Sequence, residues 1–113
     1  MNDTNISMTH ETVSNRLVIR IQGNLDVHNS HKIEPELMTL VKSATSAIVY
    51  DLEEVPFISS AGLRVLVTSL RMSQEHGHEI SICSLKPAVA KVFDIIGMQQ
   101  LFKIHSDLKS ALQ

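Results

Sequence analysis

Short apolar runs of strand length alternate along this chain with longer segments in which apolar residues recur every three or four positions. Near the N-terminus, residues 4–12 alternate loosely, with Ile6, Met8 and then Val13 as apolar positions, which predicts an edge strand. Val18, Ile19 and Ile21 follow the turn-like Ser14-Asn15, so the first two strands should form an antiparallel hairpin. Gly23-Asn24 breaks the pattern, and Leu25-Asp26-Val27 leads into a polar loop. From Ser30 to about Lys42, Ile33, Leu37, Leu40 and Val41 keep helical spacing, with Pro35 tolerable only in the first turn. Ala47-Ile48-Val49-Tyr50 is a continuous apolar run, as expected of a buried central strand.

A second helix is predicted from about Ser60 to His76, ended by Gly77, with Leu63, Leu66, Val67 and Leu70 as its core face. Ile80–Ser84 reads as another buried strand. Pro87 opens a third helix whose apolar face carries Val89, Val92, Phe93 and Ile96, and Gly97 closes it. Leu101-Phe102-Lys103-Ile104 is a short strand candidate, and Ser106 is placed to cap a final turn bearing Leu108 and Leu112. Strands that alternate with helices after an initial hairpin predict an α/β layer structure with a mixed sheet.

The second helix carries a further signal. Ala61, Val65, Thr68 and Met72 fall together roughly opposite Leu63, Leu66 and Leu70, flanked by Arg64, Arg71 and Glu75. A helix with one face on a sheet should show charge on that side; this one shows small and apolar residues. Either the stripe is a docking surface or another helix covers it. It starts one residue after Ser60, where Ser59 and Ser60 lie at the predicted helix N-terminus. Unpaired backbone N–H groups point outward there and the helix dipole favours negative charge. A hydroxyl at this place can cap the helix, bind an anion or carry a phosphate.

Composition narrows the choice of chemistry. With 113 residues, one compact domain is expected. A net charge of −2 supplies no basic footprint, which argues against a nucleic-acid partner. The one cysteine, Cys83, lies in an apolar run and has no internal disulfide partner, which fits a reducing compartment. The polar start MNDTNISMTHE has no apolar core of a secretory signal, and no run is long enough to span a membrane, so a cytoplasmic protein is expected. The serines lack the G-x-S-x-G elbow of a serine hydrolase. His28-x-x-His31 and His76-x-His78 have no second cysteine or clustered carboxylates to complete a metal site, so no metal is expected. Neither G-x-x-x-x-G-K-[ST] nor G-x-G-x-x-G occurs, and no cofactor is implied.

Over essentially its whole length the chain resembles the STAS-domain anti-sigma-factor antagonists. Three stretches carry the resemblance: the opening hairpin followed by Gly23-Asn24-Leu25-Asp26, the buried strand ending in Asp51-Leu52, and Phe57-Ile58-Ser59-Ser60-Ala61-Gly62-Leu63. It implies one STAS domain over residues 1–113, with a mixed sheet of about four to five strands, an N-terminal hairpin and about four α-helices. Carried over by position, the phosphoacceptor is Ser60, two residues before Gly62, and Asp26 matches an acidic residue near the acceptor. Many members have Asp just before the acceptor; here Ser59 stands there, as a helix cap or as an alternative acceptor. The resemblance further implies a switch, with this protein an enzyme in none of its steps. The unphosphorylated form binds a GHKL-type anti-sigma serine kinase and frees its sigma factor; phosphorylation by that kinase inactivates it, and a metal-dependent serine phosphatase restores it. A monomer is expected when free, with the helix stripe of Ala61, Arg64, Val65, Thr68 and Met72 as the docking surface. STAS domains also serve as non-phosphorylated subunits on transporter ATPases or signalling assemblies, which is the alternative reading.

Overall fold

A computed structural model describes residues 5–113; position 4, where the sequence pattern starts the first strand, lies outside the described residues. The chain runs β1 (Ser7–Val13), β2 (Arg16–Gln22), α1 (Ser30–Ser43), β3 (Ile48–Glu54), α2 (Ser60–Glu75), β4 (Ile80–Cys83), α3 (Pro87–Ile96), a 3-10 turn (Met98–Gln100), β5 (Lys103–His105) and α4 (Leu108–Ala111). The five strands lie in sequence order, with β1 antiparallel to β2 and every other neighbour pair parallel. The expected mixed sheet with an N-terminal hairpin is therefore present. Ser14 and Asn15, at φ 50° and 66°, form its two-residue turn, the doubly left-handed type that matches strand twist.

A sheet whose parallel strands follow one another in order, joined by right-handed crossovers, carries α1, α2 and α3 on one face. The residue alternation agrees. Ile19, Ile21, Ile48, Tyr50, Leu52, Ile80 and Ile82 point into a core shared with Leu37, Val41, Leu66, Val89 and Phe93. The alternate positions Val18, Val49 and Cys83 face the other way and are covered by Ala111, Leu108 and Leu112 of the C-terminal segment. With both faces covered, β3 is buried from Ile48 through Leu52, which explains its unbroken apolar run. Beyond α4 the second face turns polar, and the nearly buried Asp51 is paired by Arg20 at 3.4 Å, which also binds Glu11 at 2.6 Å.

On α2 the sequence reading needs correction. The buried row is Gly62, Val65, Leu66, Ser69, Leu70 and Ser73, while Leu63 and Val67 are only half-buried. Two serines sit on the core face because each has a hydrogen-bond partner there. Tyr50 donates its hydroxyl to Ser69 Oγ at 2.6 Å, Ser69 donates to the Leu66 carbonyl at 2.6 Å, and Ser73 donates to the His78 carbonyl at 2.8 Å. Hydropathy counts these serines as polar, so it rotates the face toward Leu63 and away from Val65.

Smaller departures have local causes. Pro35 is the sixth residue of α1, beyond its first turn, and is exposed, so water can satisfy the carbonyl it leaves unbonded. β3 runs on to Glu54. β4 stops at Cys83 because Ser84 takes φ 64°. Helix α2 ends at Glu75 with His76 as its cap, and Gly77 follows at φ 80°. Leu101 and Phe102 close the 3-10 turn through Phe102 N–H to the Met98 carbonyl, which delays β5 to Lys103. Asp107, not Ser106, caps α4: its Oδ1 accepts the Ser110 N–H at 2.8 Å.

Two measurements check this packing. Leu66→Ala should lower unfolding free energy by roughly 2–5 kcal/mol in urea titration, as for a fully buried leucine. Burial pushes the Cys83 thiol up to about 11. At pH 8 the native protein should therefore resist alkylation by iodoacetamide and react fully once unfolded.

Candidate functional site

The serine pair and the Gly23–Asp26 loop meet beyond the C-terminal ends of β2 and β3. Pairing of these two strands shifts register between Arg20 and Gln22, ends at Gln22–Glu54, and is followed by a single isolated parallel bridge, Leu25 to Ile58. The Leu25 N–H donates to the Phe57 carbonyl at 2.9 Å, and the Ser59 N–H donates to the Leu25 carbonyl at 2.9 Å. Gly23 N–H, at φ 116°, donates to the Glu54 carbonyl at 3.0 Å. Each bond ties one loop to the other just ahead of α2.

Gly62 permits the approach. A Cβ on it would lie 2.4 Å from the Leu25 carbonyl oxygen, 2.8 Å from Leu25 Cβ and 3.0 Å from Ile58 Cγ1. Only a residue without a side chain lets the first turn of α2 sit this close to the loop.

Ser59 and Ser60 have different surroundings. Ser59 is the N-cap of α2: its Oγ accepts the Gly62 N–H at 3.4 Å and donates to the Leu25 carbonyl at 3.3 Å. Ser60 is the first residue of the helix and is exposed, and its hydroxyl has no hydrogen-bond partner among the described residues. One hydroxyl is engaged and the other free.

Asp26 lies next to Leu25 but spends its carboxylate locally, accepting the His28 and Asn29 N–H groups at 3.0 and 2.9 Å. Its carbonyl accepts Ser30 Oγ at 2.6 Å, and Asn29 Nδ2 donates to the Asn24 carbonyl at 3.1 Å. The loop is thus rigid before it meets Ser59. No hydrogen bond joins Asp26 to Ser60 among the described residues.

The predicted stripe does not stand free as a unit. Val65 is 1% exposed and belongs to the core, and Met72 is half-buried against it. Leu70 and Gln74, on the other flank of α2, line a groove with Leu101 and Lys103, so the Ala61, Val65 and Met72 flank turns toward α1. Ala61 is half-buried; Arg64 and Thr68 are exposed on the same outer side as Ser60. Two exposed apolar residues outside the expected set flank the Leu25–Ile58 bridge. Val27 is 66% exposed and Phe57 is 52% exposed. Val27 and Ser60 each lie two residues beyond the Leu25–Ile58 bridge, and Phe57 lies one residue before it. The available signal was Val27 in an otherwise polar loop; Phe57 beside Ile58 reads as core.

Comparison with known proteins decides the family. Residues 7–111 match the family model of the STAS domain. The chain belongs to the STAS domain family. A protein of Bordetella bronchiseptica designated BtrV, named as a candidate anti-sigma factor antagonist, is 30% identical over 106 residues, covering 94% of this chain and 91% of that protein. The anti-sigma F factor antagonist of Paenibacillus polymyxa is 26% identical over 97 residues, covering 85% and 83%. Among solved structures, a STAS domain protein of Planctomyces limnophilus, described as an anti-sigma-factor antagonist, superposes with TM-score 0.85 at 19% identity over 93% of this chain and 94% of that one. The Bacillus cell fate determinant SpoIIAA in its phosphorylated form superposes with TM-score 0.69 at 21% identity, covering 94% and 96%. These likenesses establish the STAS fold for the five-stranded sheet and its helices. No helix among the described residues is long and apolar enough to cross a membrane.

The close approach at Gly62 has a measurable consequence. Gly→Ala inside a helix ordinarily stabilises by about 1 kcal/mol. Gly62→Ala should instead destabilise by about 1–3 kcal/mol, because the added methyl overlaps the Leu25 backbone. Thermal unfolding reads the sign directly.

Proposed function

We propose that this STAS protein is an anti-sigma-factor antagonist switched by phosphorylation of Ser60. The observation that carries the reading is the contrast at the start of α2. Ser60 presents an unbonded, exposed hydroxyl on a fixed turn, while the neighbouring hydroxyl of Ser59 is held by Leu25 and Gly62. A phosphoryl-transfer enzyme needs an acceptor oxygen that is accessible and positioned, and Ser60 meets both conditions. The names of the relatives supply the biological class.

In its unphosphorylated state the protein docks on a GHKL-type anti-sigma serine kinase through the surface around Ser60, releasing the sigma factor. Val27 and Phe57 supply exposed apolar area to that surface, with Arg64 and Thr68 beside it, in place of the α2 stripe expected from periodicity. The kinase transfers the γ-phosphoryl group of ATP to the Ser60 hydroxyl oxygen, the hydroxyl proton passes to solvent or a base on the kinase, and ADP leaves. A metal-dependent phosphatase hydrolyses the ester.

A phosphate adds about −1.5 to −2 charges and three strong acceptor oxygens. Within the monomer the cost is small. The amides of Ser60 and Ala61 have no intrahelical acceptor, the dipole favours negative charge, and Arg64 lies one turn away on the same exposed side. In a closed interface the same charge must lose its water, which costs several kcal/mol if unpaired. About 5.5 kcal/mol reverses a binding equilibrium from one extreme to the other, so a single phosphate suffices without any change of fold.

Binding to the purified kinase, followed by calorimetry, tests the proposal. Ser60→Ala should keep wild-type affinity and stay bound in the presence of ATP. Ser60→Asp should fold normally and bind at least tenfold more weakly. Phe57→Ala should cost about 2 kcal/mol of affinity with unfolding temperature unchanged. Wild-type affinity in Ser60→Asp, together with continued phosphorylation of Ser60→Ala, would place the switch elsewhere.

A further inference from the structure

The two edges of the sheet, β1 and β5, are built differently. β5 is three residues long and opens on Lys103, and both shortness and an edge lysine guard against edge-to-edge pairing. β1 is seven residues long, with no proline, no lysine and no bulge against β2. Its one carboxylate, Glu11, is tied back to Arg20 of the same hairpin at 2.6 Å. Thr9, Thr12 and Val13 are strand-favouring residues, so this edge is extended, exposed and unguarded.

Hairpin geometry decides which main-chain groups of β1 face outward. A two-residue turn makes Val13–Arg16 a hydrogen-bonded pair, and bonded and non-bonded pairs then alternate along the ladder. Ser7, Thr9, Glu11 and Val13 therefore bond to β2, whereas Met8, His10 and Thr12 turn their N–H and C=O groups away from it. The β2 side agrees in phase: Leu17, opposite Thr12, sends its N–H to the Ala47 carbonyl just ahead of β3 at 2.9 Å. Three donors and three acceptors thus stand in a row, and no other strand among the described residues pairs with them. Such a row selects an extended strand as its partner.

We infer that β1 pairs antiparallel with β1 of a second copy of this chain, about a two-fold axis at His10. That register sets His10 against His10, Met8 against Thr12, Thr9 against Glu11 and Ser7 against Val13 of the second copy. Every outward residue then enters a bonded pair, whereas an axis at Met8 or Thr12 leaves part of the row unpaired. No carboxylate faces a carboxylate and no lysine or arginine faces its own copy, so the edge is self-complementary, as an isologous contact requires. The product is a continuous sheet of ten strands, five from each copy. Antiparallel joining reverses the second copy, so the two Ser60 surfaces lie at opposite ends and each stays open to a partner. This departs from the free monomer that the family resemblance implies, and it does not depend on the Ser60 reading.

Sedimentation equilibrium of the whole protein, from micromolar to millimolar concentration, should show a shift from the 12.6 kDa chain to twice that mass. Amide hydrogen exchange locates the contact. Met8, His10 and Thr12 should exchange quickly in dilute protein and slowly in concentrated protein, while Thr9, Glu11 and Val13 stay protected throughout. His10→Pro removes an outward donor that β2 does not use, so it should hold the protein at single-chain mass with the unfolding temperature of dilute protein little changed. His10→Lys sets two lysines face to face and should weaken association about fivefold or more, whereas Thr12→Lys faces Met8 and should leave it within about twofold. Single-chain mass at every concentration, a dimer that survives His10→Pro, or equal effects of the two lysines would overturn the inference. Protection of the three amides that appears only when a different protein is added would assign the edge to a foreign strand and overturn it equally.

Discussion

The contact between the Leu25 carbonyl and the first turn of α2 is the constraint on which the functional surface depends. One oxygen receives the Ser59 N–H and the Ser59 hydroxyl, and the absence of a Cβ on Gly62 lets the helix come near enough for both. The loop that presents this oxygen is stiffened by Asp26, whose carboxylate holds two of its own amides. Ser60 thereby starts a rigid helix beside a rigid loop. Its backbone position is set by groups that take no part in chemistry.

On the proposed reading, that geometry lets one fold tolerate both states of a switch. A helix N-terminus is among the few places where a dianion is accepted without rearrangement, because unbonded amides and the aligned peptide dipoles already favour it. A phosphate on Ser60 would therefore cost the monomer little. The penalty appears only when a partner covers the same site and strips its water. On the proposed reading, exposed Val27 and Phe57 favour such covering in the unmodified state, which would set attraction and repulsion on adjacent residues. Ser59 contributes by being engaged, which leaves one free hydroxyl at this helix start rather than two.

Most of the architecture was legible because backbone periodicity and punctuation agree in this chain. Ser14-Asn15 marks its turn, Pro87 and Gly97 bracket α3, and the buried run at β3 identifies the middle of the sheet. The errors came where side-chain chemistry overrides hydropathy. Ser69 and Ser73 are core residues because Tyr50 and the loop at His78 give them partners, and no single-residue scale contains that information. The misplaced face of α2 then made Val65 look exposed and suggested a stripe that α1 in fact faces. The proposed acceptor, Ser60, was singled out by its place two residues before Gly62 in a recognised motif. The exposed Val27 and Phe57 were not, because an apolar residue beside core positions looks the same in sequence whether it points in or out. Exposure is a tertiary property, decided here by how the Leu25–Ile58 bridge ends the sheet.

The most direct test is intact mass followed by phosphosite mapping of the protein purified from its own host across growth conditions. A fraction heavier by one phosphate, mapped to Ser60 with Ser59 unmodified, is the predicted result. Phosphate on Ser59 with Ser60 unmodified, or no phosphate under any condition, would contradict the account and turn it toward a STAS subunit that docks constitutively.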